Sequence, residues 1–183
     1  MRKPRPAIST DSHVINLCCK IVTDAQPLII NSSPLPDAPE KECFQIVAGH
    51  IEKNGGEAVY GWAIWEVPGV YIEAEFHSVW RSPEGELRCL TPFPLPFETI
   101  LFLPDLNRLY LGRQIDNVRE PLAKDRDVYR FLYLARRVFE ITNAGDLADQ
   151  HGKIRLPPKA AKEYWKIQSE LSKVMPRLDR RYP

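Results

Sequence analysis

Two long runs of aromatic and β-branched residues, separated by a turn, constrain the fold of this chain most strongly. Residues 58–66 read AVYGWAIWE, residues 70–81 read VYIEAEFHSVWR, and Pro68 and Gly69 lie between the runs. Such residues favour strands and a Pro-Gly pair favours a turn, so a β-hairpin is predicted. In the second run, alternation places His77 on the same face as Glu73 and Glu75.

A helix and a third strand are predicted on either side of this hairpin. Glu40 and Glu42 suit the start of a helix over residues 40–53, and Asn54 followed by two glycines suits its end. This helix carries Cys43. A polar turn after the hairpin leads into a short strand over residues 86–90, so the simplest assembly is a three-stranded antiparallel sheet packed on the helix. The apolar stripe predicted for the helix is Phe44, Val47, Ala48 and Ile51.

The remaining segments give weaker patterns. Short strands are predicted over residues 100–103 and 108–111, and an amphipathic helix over residues 125–141 with Val128, Leu132, Ala135 and Phe139 on its apolar side. A second C-terminal helix follows Pro158 and runs to about residue 174. The apolar runs within residues 13–30 do not separate strand from helix. We therefore predict a flexible lead (1–12), one α+β domain (13–175) with a helical C-terminal part, and a basic tail (176–183).

Composition narrows the class of protein. The chain has 183 residues, 44% hydrophobic and 27% charged, with a net charge of +1. These values are typical of a globular protein, and the net charge is too small to attract polyanions or anionic membranes to the protein as a whole. No apolar run is long enough for a membrane span and no secretory signal is recognised, so a cytoplasmic location and no membrane partner are expected. The four cysteines, which include adjacent Cys18 and Cys19, are then expected to be thiols.

The order of Cys43, His77 and Cys89 points to thiol chemistry. A cysteine in the first turn of a helix meets free backbone N–H groups that stabilise a thiolate. A strand-borne histidine is a suitable general base, and a third group on the next strand orients it. Papain-like and transglutaminase-like thiol enzymes use the same chain order, so a core similar to theirs is predicted, with Cys43 on its N-terminal helix. Here the third position falls on Cys89, a weak hydrogen-bonding partner, so Glu75 is an alternative orienting residue.

Other readings of the same residues remain open. A buried cysteine and a structural histidine are the simplest alternative to catalysis. A zinc site from Cys43, His50, His77 and Cys89 is chemically acceptable, but its spacing matches no common zinc motif, so no metal or cofactor is predicted. Several strand glutamates suit a carboxylate site or a solvated face. The tryptophans are consistent with an apolar core or with a platform on which bases stack. The arginines of the second half could contact phosphates, although interspersed acidic residues weaken the positive field.

The run GWAIWEVPGVYIEAEFHSVWRSPEGELRCLTP resembles a family of bacterial and phage-encoded proteins with the pattern Cys…GG…GWxIWE…EAEFHxVW…TP. The likeness extends from Cys43 to about Leu122. In the family an Asp commonly stands where this chain has Cys89, so the resemblance implies an altered third catalytic position. The residues that match the family pattern are Cys43, Gly55, Gly56, Trp62, Glu73, Glu75, His77 and Pro92.

These patterns give three predicted functions. The first is a thiol-dependent hydrolase or acyltransferase that acts on an amide, ester or thioester, with Cys43 as nucleophile and His77 as general base. The second is a catalytically degenerate protein-binding module of phage or mobile-element origin, of the anti-defence or inhibitor type, which docks on another protein through the surface around residues 92–104. The third is a nucleic-acid-binding protein that uses the arginine-rich second half.

Overall fold

A computed structural model describes residues 3–40, 42–150 and 154–183 of the chain. The described residues form both helices and strands, with a run of five consecutive strands followed by a run of helices, which confirms the α+β class. In chain order the elements are β1 (Arg5–Pro6), α1 (Ser12–Ile21), β2 (Leu28–Ser32), α2 (Cys43–Asn54), β3 (Glu57–Val67), β4 (Tyr71–Arg81), β5 (Leu87–Cys89), β6 (Thr99–Pro104), β7 (Val118–Pro121), α3 (Arg126–Thr142), a short 3-10 helix (Gly145–Asp149) and α4 (Pro158–Arg181).

The chain divides into two compact units. A barrel unit consists of Pro6–Trp65 and Ala74–Tyr110, and a helical unit consists of residues 3–5, Glu66–Glu73 and the described residues that follow Tyr110. The hairpin formed by β3 and β4 runs through both units, so its tip belongs to the helical unit. The predicted flexible lead contains β1 and the start of α1, and the predicted basic tail contains the last turns of α4.

Five strands of the barrel unit close into a small barrel. Their order is β3–β6–β2–β5–β4, and an additional pairing of β3 with β4 closes the ring. The pair β2–β5 is parallel, whereas β2–β6, β3–β6 and β4–β5 are antiparallel. The predicted neighbours β3, β4 and β5 are thus confirmed, but they form part of a larger closed sheet. The segment 108–111, which was predicted to be a strand, has no strand assignment.

The barrel strands pack around an apolar core. This core contains Ile30, Val59, Ala63, Trp65, Val79, Cys89, Ile100 and Phe102, with Phe93 and Phe97 packed against it. Gly61 allows β3 and β6 to approach closely, because a Cβ atom at this position would lie 2.2 Å from the carbonyl oxygen of Leu103. Within the surface predicted around residues 92–104, Ile100 to Leu103 are each at most 1% exposed, whereas Pro94 and Pro96 are exposed.

Helix α2 covers part of the barrel and begins later than predicted. Glu42 is its N-cap residue and Cys43 its first residue, so Glu40 lies outside the helix. Ile46 and Val47 pack with Trp80 of β4 and Leu90, and Ile51 extends this cluster. The predicted stripe is wrong at Ala48, which is exposed, because the buried side of the helix is centred on Ile46 and Val47.

The helical unit is organised around the tip of the hairpin. The backbone N–H of Val70 donates to the carbonyl of Val67, and Gly69 has a φ of 72°, which fits a type II turn with Pro68 at its second position. Val67, Val70 and Tyr71 then pack with the apolar sides of α3 and α4. The strand β7 is hydrogen-bonded to β4.

Helices α3 and α4 follow from local signals in the sequence. Asp125 caps α3 by accepting a hydrogen bond from the backbone N–H of Asp127 at 2.8 Å, as predicted. Its buried residues are Val128, Leu134 and Ile141, and Leu132 packs against the same core, so the predicted apolar side is confirmed at Val128 and Leu132. Pro158 occupies the first turn of α4, and the helix continues past residue 174 to Arg181.

Candidate functional site

Cys43 is the first residue of α2, which is the second helix of the chain and not the N-terminal helix that was predicted, and its thiol is buried. The residue is 5% exposed. Burial raises the pKa of the thiol to about 12, although hydrogen bonding from the backbone of Ser78 acts in the opposite direction. At neutral pH this thiol is protonated, so the helix start does not provide a thiolate here.

His77 lies inside the barrel beside Cys89. Its Nε2 atom is 3.3 Å from the sulfur of Cys89, and the two residues are 2% and 0% exposed. Complete burial lowers the pKa of the imidazole to about 4, because the charged form would lose its hydration. The pair is therefore neutral near pH 7.

Alternation along β4 places the side chains of Phe76 and His77 on opposite faces of the strand. Phe76 lies on one face of β4 and contacts Phe44 of α2, with ring centroids 5.6 Å apart. Val79 lies on the opposite face and packs with Cys89 in the barrel core, and His77 shares that face. Among the hydrogen bonds of the described residues, none joins Cys43 to His77. The structure thus brings His77 and Cys89 together and places α2 against the other face.

The remaining predicted site residues have structural partners. The indole N–H of Trp65 donates to a carboxylate oxygen of Glu75 at 3.0 Å. Glu73 accepts hydrogen bonds from Asn117 and Arg119, both at 3.1 Å. Within the part of the chain that the structure describes, the zinc set that includes His50 does not bring three ligand atoms within 4.8 Å of one another.

A second candidate surface lies on α4, where sequence reasoning identified no site. The residues that face the core recur at intervals of three and four: Ala160, Tyr164, Ile167, Leu171, Val174 and Leu178. On the solvent side, basic residues recur at intervals of seven, with one more between the first two: Lys159, Lys162, Lys166, Lys173 and Arg180. We call these five exposed residues the basic face. They extend over about 32 Å of helix.

The basic face differs from the arginines that join α3 to α4. Arg130 binds Glu170 through two hydrogen bonds, the longer at 2.7 Å, and Arg177 binds Asp127 with a shortest distance of 2.7 Å. Two further arginines pair across the helices in the same way, Arg137 with Glu163 and Arg181 with Asp125. No member of the basic face has a described acidic group within ion-pair distance. The pKa of Glu170 is lowered chiefly by Arg130, and Lys166 and Lys173 add a weaker effect from farther away.

Exposed aromatic rings lie on the same two helices. Trp165 of α4 is 68% exposed and lies three residues after Lys162, which makes the two side chains neighbours on the helix surface. Tyr129 and Tyr133 of α3 are also exposed, and the guanidinium carbon of Arg130 lies 4.9 Å from the centroid of the Tyr133 ring. Basic side chains and exposed rings are thus combined on one helix pair.

The site and the fold define an α+β protein with a closed five-stranded barrel and a basic helical hairpin. Comparison with protein-family models, with curated proteins and with solved structures found no match to this chain. The resemblance based on the motif around His77 therefore stays a prediction. Among the described residues, no helix combines the length and the apolar character needed to cross a membrane.

Proposed function

We propose that this chain binds single-stranded nucleic acid through the basic face of α4. The observation that carries the proposal is a row of five exposed cations, Lys159 to Arg180, without ion-pair partners among the described residues. Lysine and arginine side chains bind a phosphate backbone by displacing its counterions, and paired cations do so less readily. A row along one helix suits a linear polyanion better than a compact anion.

The distribution of charge along the sequence supports the same partner. Residues 111–183 contain 16 Lys and Arg against 10 Asp and Glu, a net charge of +6, whereas residues 1–110 have a net charge of −5. The overall charge of +1 conceals this separation. A local excess of positive charge attracts an extended polyanion even when the whole chain is almost neutral.

Trp165 favours a single strand over a duplex. Its indole ring is largely exposed and neighbours Lys162 of the basic face on the helix surface. Unpaired bases stack on exposed aromatic rings, whereas bases in a duplex are already stacked on one another. In this proposal the lysines contact phosphates while Trp165 stacks on one base.

The test is a comparison of matched charge reversals. Lys166→Glu removes the centre of the basic face, and Lys53→Glu makes the same change at an exposed lysine of α2. Binding of a labelled single strand of about 12 nucleotides, a length typical of such sites, is measured by fluorescence anisotropy. We expect Lys166→Glu to weaken binding by about tenfold, since a phosphate contact becomes a repulsion, and Lys53→Glu to leave it unchanged.

Anionic lipid vesicles and the matching duplex are the comparison ligands for this test. A basic helix with an exposed tryptophan is also suited to anionic lipid surfaces. Tighter binding to phosphatidylserine vesicles than to the oligonucleotide would contradict the proposal, and so would equal effects of Lys166→Glu and Lys53→Glu. We expect Trp165→Ala to weaken binding of the single strand by about fivefold or more, and binding of the matching duplex much less.

The thiol-dependent hydrolase, with its papain-like or transglutaminase-like core, is the second candidate. It is favoured by the position of Cys43 at a helix start and by hydrogen bonding from Ser78 to its thiol. The protonated thiol and the neutral, enclosed His77 weigh against it in this conformation. We therefore rank it below nucleic-acid binding.

A further inference from the structure

A small groove of the helical unit lies between β7 and the first half of α3. Its volume is about 280 Å³. Tyr129 and Tyr133 line it together with four polar residues, Asp116, Asn117, Arg119 and Arg136. Two exposed rings beside half-buried polar groups are typical of sites for flat, polar ligands.

The polar groups of this groove are held in place by one network. Arg119 donates from Nε to Glu73 at 3.1 Å and from Nη1 to Asp116 Oδ1 at 2.8 Å. Asn117 donates from Nδ2 to Glu73 at 3.1 Å, and its backbone carbonyl accepts from Arg119 Nη1 at 3.2 Å. The arginine side chain is 15% exposed and that of Asp116 is 25% exposed. The groups are therefore ordered yet accessible.

Three hydrogen-bonding positions of the network have no partner within the described part of the chain. They are the donor Arg119 Nη2 and the acceptors Asp116 Oδ2 and Asn117 Oδ1. A single flat ligand that pairs with all three presents two donors and one acceptor. Among the nucleobases, guanine has these groups along one edge, because its N1–H and amino group donate beside the O6 acceptor. Adenine, cytosine and uracil each present a single donor group there.

We propose that this groove binds a guanine base of the single strand, and the inference rests on the proposed function. The guanidinium carbons of Arg130 and Arg136 lie over the Tyr133 ring, 4.9 Å and 5.8 Å from its centroid, so Tyr129 is the ring left for stacking. The base would stack on Tyr129 while Arg119 donates to O6, and Asp116 and Asn117 accept from the base. The groove would select one base, whereas the basic face contacts the strand without regard to sequence.

Titration calorimetry with mononucleotides tests the groove apart from the basic face. Guanosine monophosphate should bind about tenfold or more tightly than adenosine monophosphate, because the wrong base leaves the network unpaired. Asp116→Ala should remove this preference. Tyr129→Ala should weaken binding of both nucleotides, and Tyr129→Phe, which keeps the ring, is the matched control. Thermal unfolding of each variant shows whether the fold is intact.

The outcomes separate the two proposals. Equal affinity of the unmodified protein for both mononucleotides overturns the guanine groove, whatever the variants do. If guanosine monophosphate is preferred but Lys166→Glu leaves binding of the oligonucleotide unchanged, the guanine groove is supported and the proposed role of the basic face is contradicted. If Lys166→Glu weakens binding of the oligonucleotide but no base is preferred, the proposed role of the basic face is supported and the guanine groove is contradicted.

Discussion

The imidazole of His77 is enclosed in the barrel, so its protonation is linked to folding. Its pKa is lowered from 6.5 to about 4 in the folded chain. Between these values the unfolded chain binds more protons than the folded chain, so the free energy of unfolding falls as the pH drops from about 6.5 to about 4. We expect a loss of roughly 3 kcal/mol across this window from His77 alone, with the full contribution present above pH 6.5.

Urea unfolding at a series of pH values measures this loss. The His77→Gln variant cannot titrate at this position and should show a flatter dependence on pH, whatever its absolute stability. An unchanged slope in the variant would mean that His77 is not the enclosed group described here.

Thiol accessibility distinguishes the cysteines from one another. Cys19 is exposed, whereas Cys18, Cys43 and Cys89 are buried, and burial raises the pKa of each of these three thiols. We expect a thiol-directed reagent to label the folded protein once, at Cys19, and to label all four positions after denaturation. Mass spectrometry of the labelled peptides locates the site, and Cys19→Ser should then leave the folded protein unlabelled. Labelling of Cys43 faster than a free thiol would instead favour the thiol-dependent hydrolase.

At the scale of elements, the α3–α4 hairpin is stabilised more by its core than by its ion pairs. Leu178 is 0% exposed and lies in the core of the helical unit. We expect Leu178→Ala to lower the free energy of unfolding by about 2–5 kcal/mol, because it removes buried surface and leaves a cavity. Glu170→Gln removes a solvent-accessible pair with Arg130 and should cost less than about 1 kcal/mol. Chemical denaturation measures the free energy of unfolding of both variants. Equal losses would contradict the claim that the core contributes more than the ion pairs.

The elements that the sequence predicts well are those defined by local signals. The hairpin of β3 and β4 follows from its strand-forming runs and turn, and α3 from its cap and apolar period. The closed ring of strands also requires the parallel pair β2–β5, which joins Asn31 to Arg88. No local pattern in the sequence specifies such a distant pairing. The same closure buries Ile100 to Leu103 within the predicted docking surface and leaves Pro94 and Pro96 exposed.

The candidate sites were predictable to different degrees. The contact of His77 with Cys89 follows from the register between β4 and β5, whereas the burial of both residues requires the closed barrel. The basic face is present in the sequence as an interval of seven, but acidic residues such as Glu163 and Glu170 lie between its members. In the structure these acidic residues pair with arginines of α3, which leaves the lysines exposed.

At the scale of the whole molecule, the separation of charge along the chain decides where a polyanion binds, and the net charge does not. The first 110 residues are acidic and the remainder basic, so the nucleic acid is expected to contact the second part only. The barrel unit, with an apolar core and an enclosed histidine, then has no direct role in binding. Charge changes in the barrel unit, such as Lys53→Glu, should accordingly leave the affinity for a single strand unaltered.

The central claim is that the basic face neutralises phosphates, and the salt dependence of binding tests it most directly. Five contacts with a single strand predict that the logarithm of affinity falls with the logarithm of salt concentration with a slope of about −3.5. Lys166→Glu should make this slope shallower by about 0.7 or more, and Lys53→Glu should not change it. A slope close to zero, or the same slope for the Lys166→Glu variant as for the unmodified protein, would contradict the account.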